Sequence, residues 1–559
     1  MRLTLVCMVM LMTVAGLAAP ISFERSIANS MDAAMGSLEL VSVDPDQNYE
    51  AYHGFYLHPD GHLELAHALE IGVPHMTGRS TDALLFAEDV LGRTVDPSVV
   101  EHLTFHMLDS YDNVHHINSY ITGGQPHVEF HNLREGLHGL AALIKYRGNA
   151  QAATDAHEML VALDSITAAD GSFSATLISQ QGKTDFYHGW NGPTPGHSGR
   201  FVGALIKYYR VSADVLALEL AEKYALHCLD SAFDDYGHLI GAWDQAGAGN
   251  HVHSITSSIS SILIWALELK KINDTEDLST IQLTDGRTMD QVVDKCNKVF
   301  NNALGQELSS TWGWIKEERR PTATRGEMNQ VGDMVQAALF LGQLGHPEAY
   351  EYAECSMRSF VLPVQLLGVS GLQEDPDAIA DRFKNIRRRA HGCFGFPMPN
   401  DRYDEEGVHA ISATDVTAGM LQGICEFVQT IVLTDGDQIW LNLLFDIQTD
   451  EVTVESDLPE TGRVLLTPVA AATLHVRIPT WVSRDLIVLS VGGTSQDVTM
   501  NEPYLVVAAE AGQAVEVTFP LREKTETETV AGRQYTVTWK GDQVTELTPV
   551  GASEPLFQA

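Results

Sequence analysis

The sequence predicts a mainly helical fold, an (α/α)6 toroid of helical hairpins followed by a C-terminal antiparallel β-sandwich. Three observations carry that expectation. From about Ser30 to Thr430 the apolar pattern has helical period, and AALIKY at Ala141–Tyr146 is echoed by GALIKY at Gly203–Tyr208. A helix pair every ~60 residues allows about six hairpins, none able to bury its apolar stripe without its neighbours, with an open solenoid as the alternative to a closed ring. After Thr434 the texture changes to short β-rich runs divided by Gly, Pro, Asp and Asn, several of them alternating, as in Leu474-His475-Val476-Arg477-Ile478.

Taken in chain order, the first element is a leader. Met1-Arg2 is basic, Leu3 to Leu17 is almost unbroken apolar, and Ala18-Ala19-Pro20 offers small residues. That is the order of a signal peptide, too short for a comfortable membrane span. The expected division is a signal peptide at 1–20, a toroid at 21–434 and a β-sandwich at 435–559, with a secreted or periplasmic location. No later run reaches ~18 uninterrupted apolar residues, so no membrane span is expected.

Charge narrows the partners. The chain has 35 Lys and Arg against 74 Asp and Glu, a formal charge of −39, which repels nucleic acid. Cys228, Cys296, Cys355, Cys393 and Cys425 are widely spaced and form no CxxC, so neither a disulfide framework nor a zinc knuckle is indicated.

The helix starts are studded with imidazoles and aromatics: His115-His116, His127, His131, Tyr187-His188-Gly189-Trp190, His197, His251-Val252-His253 and Trp312-Gly313-Trp314. Each alone is more often a core group than a ligand. Repetition at successive hairpins instead suggests one loop-lined face with flat surfaces suited to sugar rings. His188, Trp190, His197, His253 and Trp314 are therefore candidate substrate contacts, with Arg325 beside them. Arg325 and Arg387-Arg388-Arg389 could meet a carboxylate or sulfate.

Four carboxylates, Glu317, Glu318, Glu327 and Asp333, lie within one stretch beside Trp312, Trp314, Arg319, Arg320 and Arg325. Glycosidases need a proton-donating carboxylic acid and usually a second carboxylate. The bland alternative is that Glu327 or Asn329 caps a helix while Glu317 and Glu318 pair with Arg319 and Arg320 on the surface. Asp415, at the end of the long Gly/Pro-rich connection from His391, is a cap or a base. His391 with Cys393 is a weak nucleophile pair.

The stretch Gly326–Leu344, the segment His409–Gly419, Trp440-Leu-Asn442 and above all Leu474-His-Val-Arg477-Ile-Pro479-Thr-Trp481 resemble glycoside hydrolase family 127, the β-L-arabinofuranosidase-like enzymes. The resemblance implies an (α/α)6 barrel before β-sandwich domains and a carbohydrate substrate. It also implies a zinc held by one Glu and three Cys, one of them the nucleophile. The adjacent cysteines are replaced here within Ser412-Ala413-Thr414-Asp415, and the third aligns with Asp333, with Val331 near the zinc-binding Glu. No cofactor and no metal are expected. Catalysis is expected to fall to carboxylates, with Glu317 or Glu327 as acid and Asp333 and Asp415 brought together as base or nucleophile. The rivals are a polysaccharide lyase or uronic-acid-releasing hydrolase, with Tyr187, His188 or His253 as the lyase base, and a non-catalytic glycan-binding protein.

Overall fold

A computed structural model describes residues 22–557, except 58–61, 68–71, 114, 118–119, 123–124, 128–129, 181–194, 241–250, 320–322 and 404–408. The leader lies outside the described residues, as do Tyr187, His188 and Trp190.

Among the described residues twelve helices build the ring. Six are outer: α1 (Arg25–Val41), α3 (Pro97–Asp109), α5 (Ala150–Asp164), α7 (Val215–Ala232), α9 (Met289–Val299) and α11 (Tyr350–Ser356). Six are inner: α2 (Thr77–Leu91), α4 (Leu133–Arg147), α6 (Pro195–Ser212), α8 (Val252–Ile272), α10 (Met328–Gln343) and α12 (Thr414–Ile431). The inner six touch in the cyclic order α2, α4, α6, α8, α10, α12 and back to α2, so the ring closes. Local chemistry starts the outer helices. Asp96 caps α3 ahead of Pro97, Asn149 caps α5, Asp214 caps α7, and Thr288 with Gln291 forms a capping box on α9.

Inner helices are packed all round. In α8 every residue from Val252 to Ala266 is buried, and Ser257, Ser258 and Ser260 return their hydroxyls to the preceding turn, as Ser258 does to Ser254 O at 2.6 Å. This helix is long and apolar enough to cross a membrane, yet it is the core of the ring. Glycine contacts draw inner helices together, and three of them stand next to buried charges. A Cβ on Gly78 of α2 would lie 2.3 Å from Glu135 O of α4, one on Gly199 of α6 2.5 Å from Ser258 Oγ of α8, and one on Gly332 of α10 2.8 Å from Gly419 O of α12.

The β region departs from a wholly antiparallel sandwich. A seven-stranded sheet takes in Ser22–Phe23 from the chain start, paired with Ile447–Gln448. In the five-stranded sheet Ala472–Arg477 runs parallel to Gln438–Leu441, because the chain crosses between them through the other sheet. A separate three-stranded sheet spans Glu523–Thr548. The Arg-Ile-Pro-x-Trp strand is a fastener: Arg477 is fully buried, pairs with Glu354 of α11, and donates from Nε to Asn442 O at 2.5 Å. Glu354 also accepts from the Leu444 amide, so one carboxylate joins the ring to two β segments.

Candidate active site

All six inner helices begin at the same end of the ring, because each returns there through an outer partner. Their first turns converge with positive dipole ends, a place where carboxylates are favoured. His75 and Arg79 come from the start of α2, Arg134 and Glu135 from α4, Arg200 from α6, His253 and Thr256 from α8, Glu327, Asn329 and Asp333 from α10, and Asp415 from α12.

The floor of this funnel is a closed charge network. Glu135 Oε1 accepts from Arg79 Nη1 at 3.3 Å, Arg134 Nη1 at 3.1 Å and Arg200 Nη2 at 2.5 Å. Burial alone would raise the Glu135 carboxyl, but Arg200, His75, Arg134 and Arg79 outweigh it and lower it to about 2. Asp333 accepts from Thr256 Oγ1 at 2.9 Å and Arg134 Nη2 at 3.3 Å, and its Oδ2 lies 2.7 Å from His253 Nδ1. On the far side of that ring, Nε2 meets Arg79 Nη1 at 3.1 Å and Arg200 Nη2 at 3.2 Å. These partners assign the tautomer: Nδ1–H donates to Asp333 and Nε2 accepts from the guanidiniums. Burial, then Arg200 and Arg79, hold His253 well below its ordinary value, so it is neutral.

Above the floor lies a layer that solvent reaches. Asn329 Nδ2 donates to Glu327 Oε1 at 2.8 Å and to Asp415 Oδ2 at 3.0 Å. His75 Nε2 sits 3.3 Å from the same Asp415 oxygen, and its Nδ1 is 3.0 Å from Asn132 Oδ1. The Asp415 side chain is 12% exposed. Its burial opposes ionisation, yet the His75 hydrogen bond and charge, with Arg79 and His53, hold it well below the carboxylate range. Glu317, 15% exposed, is clamped by Arg325, which donates from Nη2 to Oε1 at 2.6 Å and stacks over Phe396. Burial and the neighbouring Glu327 charge nevertheless push the Glu317 carboxyl up against the pull of Arg325.

The loop carrying Glu317 is bolted down by its tryptophans. Trp312 Nε1 donates to Pro399 O at 2.9 Å and Trp314 Nε1 to Pro397 O at 3.0 Å. Both indoles are buried, so Trp314 has no face to offer a sugar and acts as an anchor. His197 and His253 are likewise buried at 1% exposure, and His253 belongs to the floor. Asp333, at 2%, does not meet Asp415: it is spent on His253, Thr256 and Arg134, while Glu327 and Asn329, further up the same helix start, face Thr414-Asp415. The Arg387–Arg389 run lies elsewhere, on the outside of α1. There Arg389 pairs with Asp381 at 2.7 Å beside a groove of 740 Å³ that shares no lining residue with the network.

The zinc implied by family resemblance does not fit these residues. Thr414 Oγ1 turns away to Tyr52 O at 2.7 Å, and Asn329 offers its amide nitrogen to the two carboxylates. Cys393 is buried with its thiol pushed up to about 12, and burial likewise raises Cys425 well above its ordinary value. Among the described residues no three His, Cys, Asp or Glu side chains are grouped to hold a metal.

Sequence reasoning missed His75, Arg79, Arg134, Glu135 and Arg200. One signal was available: in Gly78-Arg79, Gly199-Arg200 and Gly332-Asp333 a glycine stands immediately before a buried charge.

No family model matches the chain, and no curated protein matches it by sequence. Solved structures do. A GH127 β-L-arabinofuranosidase from Geobacillus stearothermophilus T6 superposes with a TM-score of 0.55 at 12% identity, over 94% of this chain and 86% of that one. A second GH127 β-arabinofuranosidase gives 0.60 at 12% identity, over 94% and 84%. A further glycoside hydrolase gives 0.57 at 11%, over 94% and 81%. The shared feature is the fold, ring and β region together.

Proposed function

We propose that the chain is a glycoside hydrolase that works with carboxylates in place of a metal-bound thiolate. One relationship carries the reading: the site pushes two carboxyls apart, Glu317 upward and Asp415 downward, and links them through Glu327 and Asn329. Such a split is how a fold obtains an acid and a base from the same functional group. Glu317 donates its proton to the leaving oxygen. Asp415, ionised at the dipole end of α12, attacks the sugar or activates water. Asn329 holds Asp415 and Glu327 in fixed relation, and the Glu327 charge favours retention of the Glu317 proton.

The substrate class that suits this mouth is an uncharged sugar. Arg79, Arg134 and Arg200 are held by Glu135 and Asp333 in the buried floor, out of reach of a uronate or sulfate at the mouth. Export belongs to the same proposal, supported by the apolar leader. Purified protein is screened with 4-nitrophenyl glycosides, arabinofuranosides and glucuronides included. Hydrolysis of a neutral glycoside that Asp415→Asn abolishes supports the reading. An unsaturated, ultraviolet-absorbing product overturns it in favour of a lyase. A mature N-terminus near Ile21 supports export, and an intact Met1 in the mature protein counts against it.

A further inference from the structure

A pair that the charge network does not use stands beside Asp415. Tyr56 Oη and His53 Nδ1 are 2.8 Å apart, on and just before the strand Gly54–Leu57. The backbone pins that strand against the start of α12. Thr414 N donates to His53 O at 2.8 Å, Gly54 pairs with Ala413 and Phe55 with Ser412. The fit is close enough to require glycine, since a Cβ on Gly54 would lie 2.4 Å from Ser412 O. Both side chains are only partly buried.

We propose that His53 and Tyr56 together recognise a hydroxyl of the sugar that Asp415 acts on, and so determine substrate specificity. This rests on the glycosidase reading above. Three observations place the pair for it. It shares the electrostatic neighbourhood of Asp415: that carboxylate acts on both residues, and Arg325 acts on Tyr56 as well. Its geometry leaves one ring nitrogen uncommitted by the Tyr56 bond. When Tyr56 donates to Nδ1, Nε2–H is a donor. When Nδ1–H donates to Tyr56 Oη, Nε2 is an acceptor and the phenol proton turns outward. A sugar hydroxyl gives and takes one hydrogen bond at once, and this pair answers either orientation. Burial, against the pull of Asp415, lowers His53 and keeps it neutral, which preserves that choice.

The test compares wild type, Tyr56→Phe and His53→Gln with whichever 4-nitrophenyl glycoside the wild type cleaves, and with the corresponding free monosaccharide by calorimetry. Loss of one neutral hydrogen bond to the substrate is expected to raise KM and the monosaccharide Kd about three- to tenfold in Tyr56→Phe, with kcat changed less than about twofold. His53→Gln, which retains a donor and an acceptor, is expected to raise KM and Kd by less than Tyr56→Phe does. Unchanged KM and Kd in both variants overturn the proposal. So does a loss of kcat and melting temperature at unaltered KM, which is the mark of a structural role. If the wild type binds a monosaccharide but cleaves no glycoside, the hydrolase reading fails while the affinity comparison still decides the pair. A wild type that binds none of the monosaccharides tested overturns it.

Discussion

Asn329 ties Asp415 to Glu327. Its single amide nitrogen gives hydrogen bonds of 2.8 and 3.0 Å to the two carboxylates, which caps the separation of the bonded oxygens at under about 6 Å. Two like charges this close repel, so the amide donor is what makes their proximity tolerable. Asn329→Ala is expected to release both and lower kcat by on the order of a hundredfold, the usual cost of misplacing a reacting group. Steady-state kinetics on the cleaved glycoside check it, and an unaltered kcat would remove Asn329 from the machinery.

The pH profile follows from the two displaced carboxyls. Turnover needs Asp415 ionised and Glu317 protonated. Activity should rise as pH climbs past the depressed Asp415 value and fall as it passes the elevated Glu317 value, above the ordinary 4.5. Glu317→Gln is expected to abolish the alkaline limb and slow turnover by about 10²- to 10⁴-fold. An alkaline limb that persists in that variant assigns the proton donor elsewhere.

Glu135 is the keystone of the floor, one carboxylate facing three guanidiniums. Glu135→Gln strands those charges in a dry interior, and a loss of about 3–5 kcal/mol is expected in urea unfolding. The wild-type carboxyl is depressed from 4.5 to about 2 in the fold. Its contribution is therefore complete above pH 4.5 and disappears as pH falls toward 2. Asp415 has the same sign and Asp333, raised by burial, the opposite. The stability difference between wild type and Glu135→Gln should shrink across that acid window; a constant difference would contradict the linkage.

At the junction of ring and sheets, Arg477→Leu leaves Glu354 buried without its cation, beside Asp542. A cost of about 3–5 kcal/mol is expected for the single change, with much of it recovered in Arg477→Leu/Glu354→Leu. Equal destabilisation in single and double variants would show that the two side chains act independently.

The ring was legible because its cause is local. The AALIKY and GALIKY repeats both fall on inner helices, α4 and α6, and period alone marks a helix that must be buried on one face. Glu327 and Asp415 were readable as carboxylates beside helix starts, and Glu317 as one beside tryptophans and arginines. The charged floor was not, because Arg79, Glu135 and Arg200 sit inside apolar helical stretches where a lone charge reads as surface. Only closure of the ring turns those helix faces toward one another. Trp314 and His197 were misread for the converse reason: aromatic and imidazole groups at loops look like ligands until their hydrogen-bond partners are known.

Three of the glycine contacts bring inner helices close together next to buried charges, since Gly78, Gly199 and Gly332 each precede one. Farther along the inner helices a pocket of about 20 Å³ lined by Arg134, His138 and Gln422 has room for one water. A sugar released beside Asp415 lies where the next one must bind, so it obstructs the next arrival. Simple competitive inhibition by product is the kinetic trace expected of that overlap, and initial rates measured with added monosaccharide would reveal it.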